Sequence, residues 1–140
     1  MKKILILLLL TVFVLGCEKG TINNNNPNIP NYPVNLQINL NLPLYNDLTY
    51  ASGHYVDYSQ GARGIVVFNT GNDIYVAFDL ACPNQPFASC SSAMEVTGIE
   101  AKCLCDNKSY LLYTGQSAGQ QYPMKQYYVE KSGSSLYVHN

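Results

Sequence analysis

Val34-Asn35-Leu36-Gln37-Ile38-Asn39-Leu40-Asn41-Leu42 alternates apolar and polar side chains over nine positions without a fault. Successive side chains of an extended strand point to opposite faces, so a period of two predicts a strand with one face buried and the other in water. Pro43 has no N–H to give to a sheet and is expected to end it. Toward the C-terminus, shorter strand candidates follow at Gly64 to Asn69, Ile74 to Leu80, Met94 to Gly98, Glu100 to Leu104, Ser109 to Tyr113, Lys125 to Glu130 and Ser135 to His139. Turn signals separate several of them, notably Thr70-Gly71-Asn72-Asp73 and Lys131-Ser132-Gly133-Ser134. No helical period of useful length, internal repeat or second domain is visible. Many short strands joined by polar turns predict one all-β domain over residues 34–140.

Upstream the composition changes. Residues 18–33 carry four consecutive asparagines, Asn23 to Asn26, and are broken by Pro27, Pro30 and Pro33. Such a stretch has little apolar surface to offset the entropy of ordering, and it reads as a tether. Before it, Lys2 and Lys3 precede a run from Ile4 to Leu15 that is apolar apart from Thr11. This is the pattern of a secretory signal, too short to span a bilayer, which needs roughly 20 residues. The run ends in Val14-Leu15-Gly16-Cys17, which resembles the bacterial lipobox. That resemblance implies cleavage of residues 1–16, lipid modification of Cys17, and a lipidated tether over 17–33. Acyl chains contribute about 0.8 kcal/mol per buried methylene, so several on one cysteine would hold the chain on a membrane. Glu18, in place of the aspartate that retains enteric lipoproteins in the inner membrane, favours the outer membrane of a cell envelope.

The full chain of 140 residues has eight basic and nine acidic side chains. Lys2 and Lys3 would leave with the signal, so six basic and nine acidic groups remain, a formal charge of −3. The phosphate-neutralising cluster that nucleic-acid binding requires is absent. Catalytic signatures are missing too: no nucleophile elbow, no His-Glu-Xaa-Xaa-His and no phosphate-cradling glycine loop, so no enzyme is predicted. Arg63, between the glycines of Gly61-Ala62-Arg63-Gly64, reads as a solvated charge opening a strand. Twelve tyrosines stand against no tryptophan. Tyr75, Tyr113, Tyr128 and Tyr137 lie in strand patterns, where a half-buried ring is expected. Tyr45, Tyr50, Tyr55 and Tyr58 fall between strands and are candidates for a surface patch that binds a sugar or a peptide.

Chemistry concentrates in two cysteine clusters. The first is Ala81-Cys82-Pro83-Asn84, and the second, seventeen residues later, is Lys102-Cys103-Leu104-Cys105-Asp106. With Cys17 lipidated, Cys82, Cys90, Cys103 and Cys105 remain, and an even number in an exported chain points to disulfides, for which three pairings exist. Structural zinc sites favour Cys-x2-4-Cys knuckles, and neither Cys-x7-Cys nor Cys-x-Cys has that form. Thiol oxidoreductases favour Cys-x-x-Cys, which is also absent.

From about Arg63 onward the chain resembles the Rieske family of 2Fe-2S proteins. The strand pair Gly64 to Leu80 leads into the first cysteine loop. The second loop, Cys103-Leu104-Cys105-Asp106-Asn107-Lys108-Ser109-Tyr110, is similar to the family's Cys-Pro-Cys-His-Gly-Ser-Xaa-Phe/Tyr, and Tyr113-Thr114-Gly115, Gly119 and Tyr122-Pro123-Met124-Lys125-Gln126-Tyr127 match later segments in order. Residues 34–62 have no counterpart. The resemblance implies small antiparallel sheets with two cysteine-bearing loops, and it places Cys82, Asn84, Cys103 and Asp106 at the cluster-ligand positions. In a Rieske centre two cysteines hold one iron and two histidines the other. Asn84 and Asp106 occupy the histidine positions, and His54 and His139 lie outside both loops. The chain is therefore expected to be a degenerate member without a cofactor. The resemblance further implies a bridge between Cys90 and Cys105, leaving Cys82 and Cys103 to oxidise together. The expected role is a membrane-anchored envelope module that binds an envelope protein or small ligand, or serves structurally. The alternative is an electron-transfer protein with a 2Fe-2S cluster on Cys82, Cys90, Cys103 and Cys105.

Overall fold

Ile65-Val66-Val67-Phe68 is apolar at every position, so a strand there must be buried on both faces. The computed structural model, which describes residues 21, 22 and 24–140, places this run at the centre of the domain. The segment expected to be a signal and Cys17 lie outside the described residues. Among the described residues nine strands form two antiparallel sheets. The strands are β1 (Asn35–Asn39), β2 (His54–Asp57), β3 (Ile65–Gly71), β4 (Ile74–Asp79), β5 (Glu95–Thr97), β6 (Glu100–Lys102), β7 (Ser109–Leu111), β8 (Gln126–Ser132) and β9 (Ser135–His139). Six form one sheet in the order β1-β9-β8-β4-β3-β2, and β5-β6-β7 form the other. The domain is all-β apart from one short 3-10 helix, Pro43–Thr49.

Alternate residues of β3 feed two cores. Ile65 and Val67 join Val34, Leu36, Ile38, Leu48, Leu136 and Val138 in an aliphatic core under β1, β8 and β9. Val66 and Phe68 face the other way, joining Phe78, Leu80, Met94, Tyr110 and the buried cysteines in a core beneath the small sheet. The β3–β4 hairpin turns through Asn72 and Asp73, both at positive φ, as a two-residue type I′ loop requires.

The strand expected over Val34 to Leu42 stops at Asn39. There the Asn39 side chain accepts from the Asn41 N–H at 3.0 Å, bending the chain, and Pro43 then opens the 3-10 helix that seats Leu48 in the aliphatic core. Proline at the first helical position has a preset φ and loses no hydrogen bond, so Pro43 starts an element instead of merely ending one. Strand β2, absent from the sequence expectations, pairs with β3 from Asp57↔Ile65 to His54↔Phe68. All four of its residues are half-buried, so no alternation advertises it.

From Asn24 onward the segment expected as a tether over 17–33 is hydrogen-bonded to the domain. Asn24 exchanges hydrogen bonds with the Gln126 backbone, and Asn26 and Asn28 both donate to the Pro83 carbonyl. Ile29 is buried, and Lys125 donates through Nζ to Pro30 O at 3.0 Å and Asn31 Oδ1 at 2.9 Å. On the far side of β1, the Gln60 side-chain amide accepts from Asn35 N and donates to Asn35 O, at 2.7 and 3.0 Å.

Candidate functional site

The first cysteine loop is anchored at its base by Asp79, the last residue of β4. Its carboxylate is fully buried and accepts four hydrogen bonds: from Ala62 N at 2.6 Å, Arg63 N at 3.2 Å, Ala81 N at 2.8 Å and the Tyr127 hydroxyl at 2.7 Å. A buried carboxylate is tolerated only when its lone pairs are filled in this way. Gly61, at φ 77°, completes the cradle, since a Cβ there would lie 2.7 Å from Asp79 Oδ2. Burial first, then the Asp79 charge and hydrogen bond, push the Tyr127 phenol far above its ordinary value. Burial lowers the Lys125 ammonium, and the negative charge of Asp79 partly opposes that shift.

Arg63 is not the solvated charge expected from sequence. Its guanidinium lies 4.0 Å from the Phe87 ring centroid and donates to the carbonyls of Phe87 at 3.1 Å and Cys90 at 3.4 Å. Arg63 Nε is buried without a partner. Arginine thus clips the far end of the first loop, while Met94 N donates to Leu80 O at 2.7 Å and closes the loop at its base.

The second loop is a tight excursion between β6 and β7. Cys103 N donates to Lys108 O and Asn107 N to Cys103 O, with Asn107 at φ 59°. This turn aims both of its cysteines at the first loop. Cys82 is bonded to Cys103 and Cys90 to Cys105, with Cα–Cα separations of 5.5 and 6.0 Å. That is the pairing the family resemblance implies. Cys82, Cys90 and Cys103 are buried, Cys105 is exposed, and the four Sγ atoms all lie within 4.8 Å of one another.

Asn84 and Asp106, at the positions that the Rieske resemblance assigns to histidines, are engaged elsewhere. The Asn84 amide donates to the Tyr110 hydroxyl at 2.9 Å and Tyr122 O at 2.7 Å, and accepts from Tyr122 N at 3.0 Å. Burial raises the Tyr110 phenol, the Asn84 hydrogen bond works against that, and the Asp106 charge adds to it. One Asp106 oxygen accepts from Lys108 N at 2.9 Å and the other from Gln85 Nε2 at 3.0 Å, joining the two loops. As arranged, these donors do not fit a Rieske cluster: the cysteines are bonded in pairs, and the other two positions carry hydrogen-bond clamps.

The histidines stay apart from this centre. His54 pairs with Phe68 in β2, whereas His139 stacks between Tyr128 and Tyr137, its Nε2 3.4 Å from Glu130. The four tyrosines proposed as one patch separate as well. Tyr45 and Tyr55 meet edge to face at 4.8 Å against the aliphatic core, and only Tyr50 and Tyr58 are exposed. A groove of about 660 Å³ that the sequence reading missed runs between the docked segment and β8, lined by Asn24, Asn26, Asn31, Tyr122, Lys125 and Tyr128 among others. Its only sequence signal was the asparagine run itself, which reads as tether until its amides find partners. Neither a protein-family model nor a curated protein matches this chain.

Proposed function

We propose that this is a lipid-anchored envelope module with a degenerate Rieske-like fold, in which two disulfides and a set of hydrogen bonds replace an iron-sulfur cluster and the domain binds or scaffolds without catalysis. The observation that carries this reading is the fate of the ligand positions. Asn84 and Asp106 hold the loops to Tyr110, Tyr122 and Gln85, and Cys82 and Cys103 hold them to each other. In the chain-entropy model a bridge over a separation of 21 residues stabilises by about 3 kcal/mol, which offsets the loss of a metal crosslink. The groove beside β8, with amides and two tyrosine rings in its wall, is where a small polar ligand would bind. Lipidation rests on Val14-Leu15-Gly16-Cys17.

The test is an absorption spectrum with iron, sulfide and free-thiol assays on protein purified without air, and metabolic lipid labelling of the full chain beside Cys17→Ser. Colourless protein with its four domain cysteines oxidised, and label lost in C17S, is the expected result. Brown protein with about two irons and two sulfides would sink the cluster-free reading and support electron transfer. Unlabelled full chain would sink the anchor.

A further inference from the structure

Cys82, Cys90, Cys103 and Cys105 are closer together than two separate bridges need to be, since every sulfur lies within 4.8 Å of every other. Zinc bonds thiolate sulfur at about 2.3 Å in a tetrahedron, which puts its four sulfurs about 3.8 Å apart. The cysteines would move by little to reach that arrangement. A two-iron cluster holds its thiolate pairs on separate irons and therefore farther apart, so the spacing suits one ion. Among the described residues no other group of three or more histidine, cysteine or acidic side chains converges in this way. We infer that the paired disulfides are the oxidised form of a metal site: reduced, the four cysteines bind a single divalent cation of the zinc class as a tetrathiolate.

The chemistry balances with a dithiol as reductant. A thiolate of the reductant attacks the sulfur of Cys105, the one exposed residue of the four, and expels Cys90 as thiolate. The reductant's second sulfur then releases Cys105 and leaves as a cyclic disulfide. Each bridge opened consumes two electrons and two protons. The inner bridge is buried at both ends, but a Cys105 thiolate lies within reach of it and can exchange into it, so the reductant need meet only Cys105. Four thiols then bind one divalent ion and release four protons, giving a site of charge −2. The Arg63 guanidinium, held on the Cys90 carbonyl with its Nε unpartnered, places a positive charge beside that site. Closed coordination by four protein sulfurs is a structural arrangement with no open position, so the ion would lock the loops in place of the disulfides.

This inference concerns the reduced chain and stands apart from whether the protein as isolated carries iron. The purified chain is reduced with a phosphine, freed of reductant under argon, and titrated with cobalt(II) as a spectroscopic stand-in for zinc. One cobalt per chain, with the intense visible bands of a tetrahedral tetrathiolate and their loss on adding zinc, is expected. Cys105→Ser should weaken binding by at least on the order of 10-fold and move the bands to a three-sulfur pattern. No uptake, a stoichiometry other than one, or an unchanged spectrum in C105S would overturn it. So would a reduced chain that stays unfolded by circular dichroism after metal is added.

Discussion

The aliphatic core under β1, β8 and β9 and the core beneath the cysteine loops share β3 and β4 as their common wall, yet they are held together differently. The first is built from strands that alternate, and Leu36, Ile38, Leu136 and Val138 face one another with no polar partner required. The second is covered by β5, β6 and β7, each only three residues long and too short to close a core by pairing alone. There the loops carry the burden through two disulfides, the Asn84 and Asp106 clamps and the Arg63 clip. The difference teaches that hydrophobic period specifies a fold where strands are long. Where they are short, crosslinks and buried polar contacts must take over.

Asp79 stands where the two regions meet, so its loss should break the distinction most severely. Asp79→Ala strands four donors, three of them backbone N–H groups, and should destabilise the domain by about 4 kcal/mol, lowering hydrogen-exchange protection in both cores. Damage confined to one side would show that Asp79 is not the junction. Next comes the double substitution Cys82→Ala with Cys103→Ala, expected to cost about 3 kcal/mol in denaturant unfolding. Protection should fall in β5, β6 and β7 while β1 and β9 keep theirs, and an equal fall everywhere would merge the two regions into one.

Tyr127→Phe should cost about 2 kcal/mol at neutral pH, the worth of a hydrogen bond to a charged group. The sign of its pH dependence is fixed by the raised phenol. The native state keeps the Tyr127 proton when the unfolded chain begins to lose it above about pH 10, so this contribution is present below that pH and lost as pH rises further. Denaturation midpoints of wild type and Y127F should therefore converge in alkali, and a constant gap would count against the buried phenol. The mildest change, Ile38→Val, should cost about 1 kcal/mol and loosen only β1 and β9.

How much of this was legible in the sequence follows the same division. The alternation at Val34 to Ile38 and the runs at Ile65 and Ile74 located long strands to within a few residues, because burial of a face leaves a period that needs no knowledge of the partner. Asp79 left no such trace. It is a single carboxylate at the end of an apolar run, and its partners Arg63 and Tyr127 lie 16 and 48 residues away. Arg63 looked solvated because Phe87 and the Cys90 carbonyl, which receive it, sit in a loop without period. Asn84 and Asp106 stood out only through the family resemblance, which marked their positions and not their hydrogen-bond partners.

The Gln60 amide on β1 has a consequence for how copies of this chain coexist. An outermost strand offers unpaired N–H and C=O groups to any other strand, the usual beginning of sheet-to-sheet aggregation. Gln60 occupies both groups of Asn35, as a neighbouring strand residue would, and the Asn39 carbonyl is taken by Leu42 N at 3.0 Å. The backbone groups of Asn35 and Asn39 face the same free edge of β1, so the ladder a newcomer would extend is interrupted at both ends. A side chain has here become a false strand, which leaves this edge of the sheet less able to pair with the sheet of another copy.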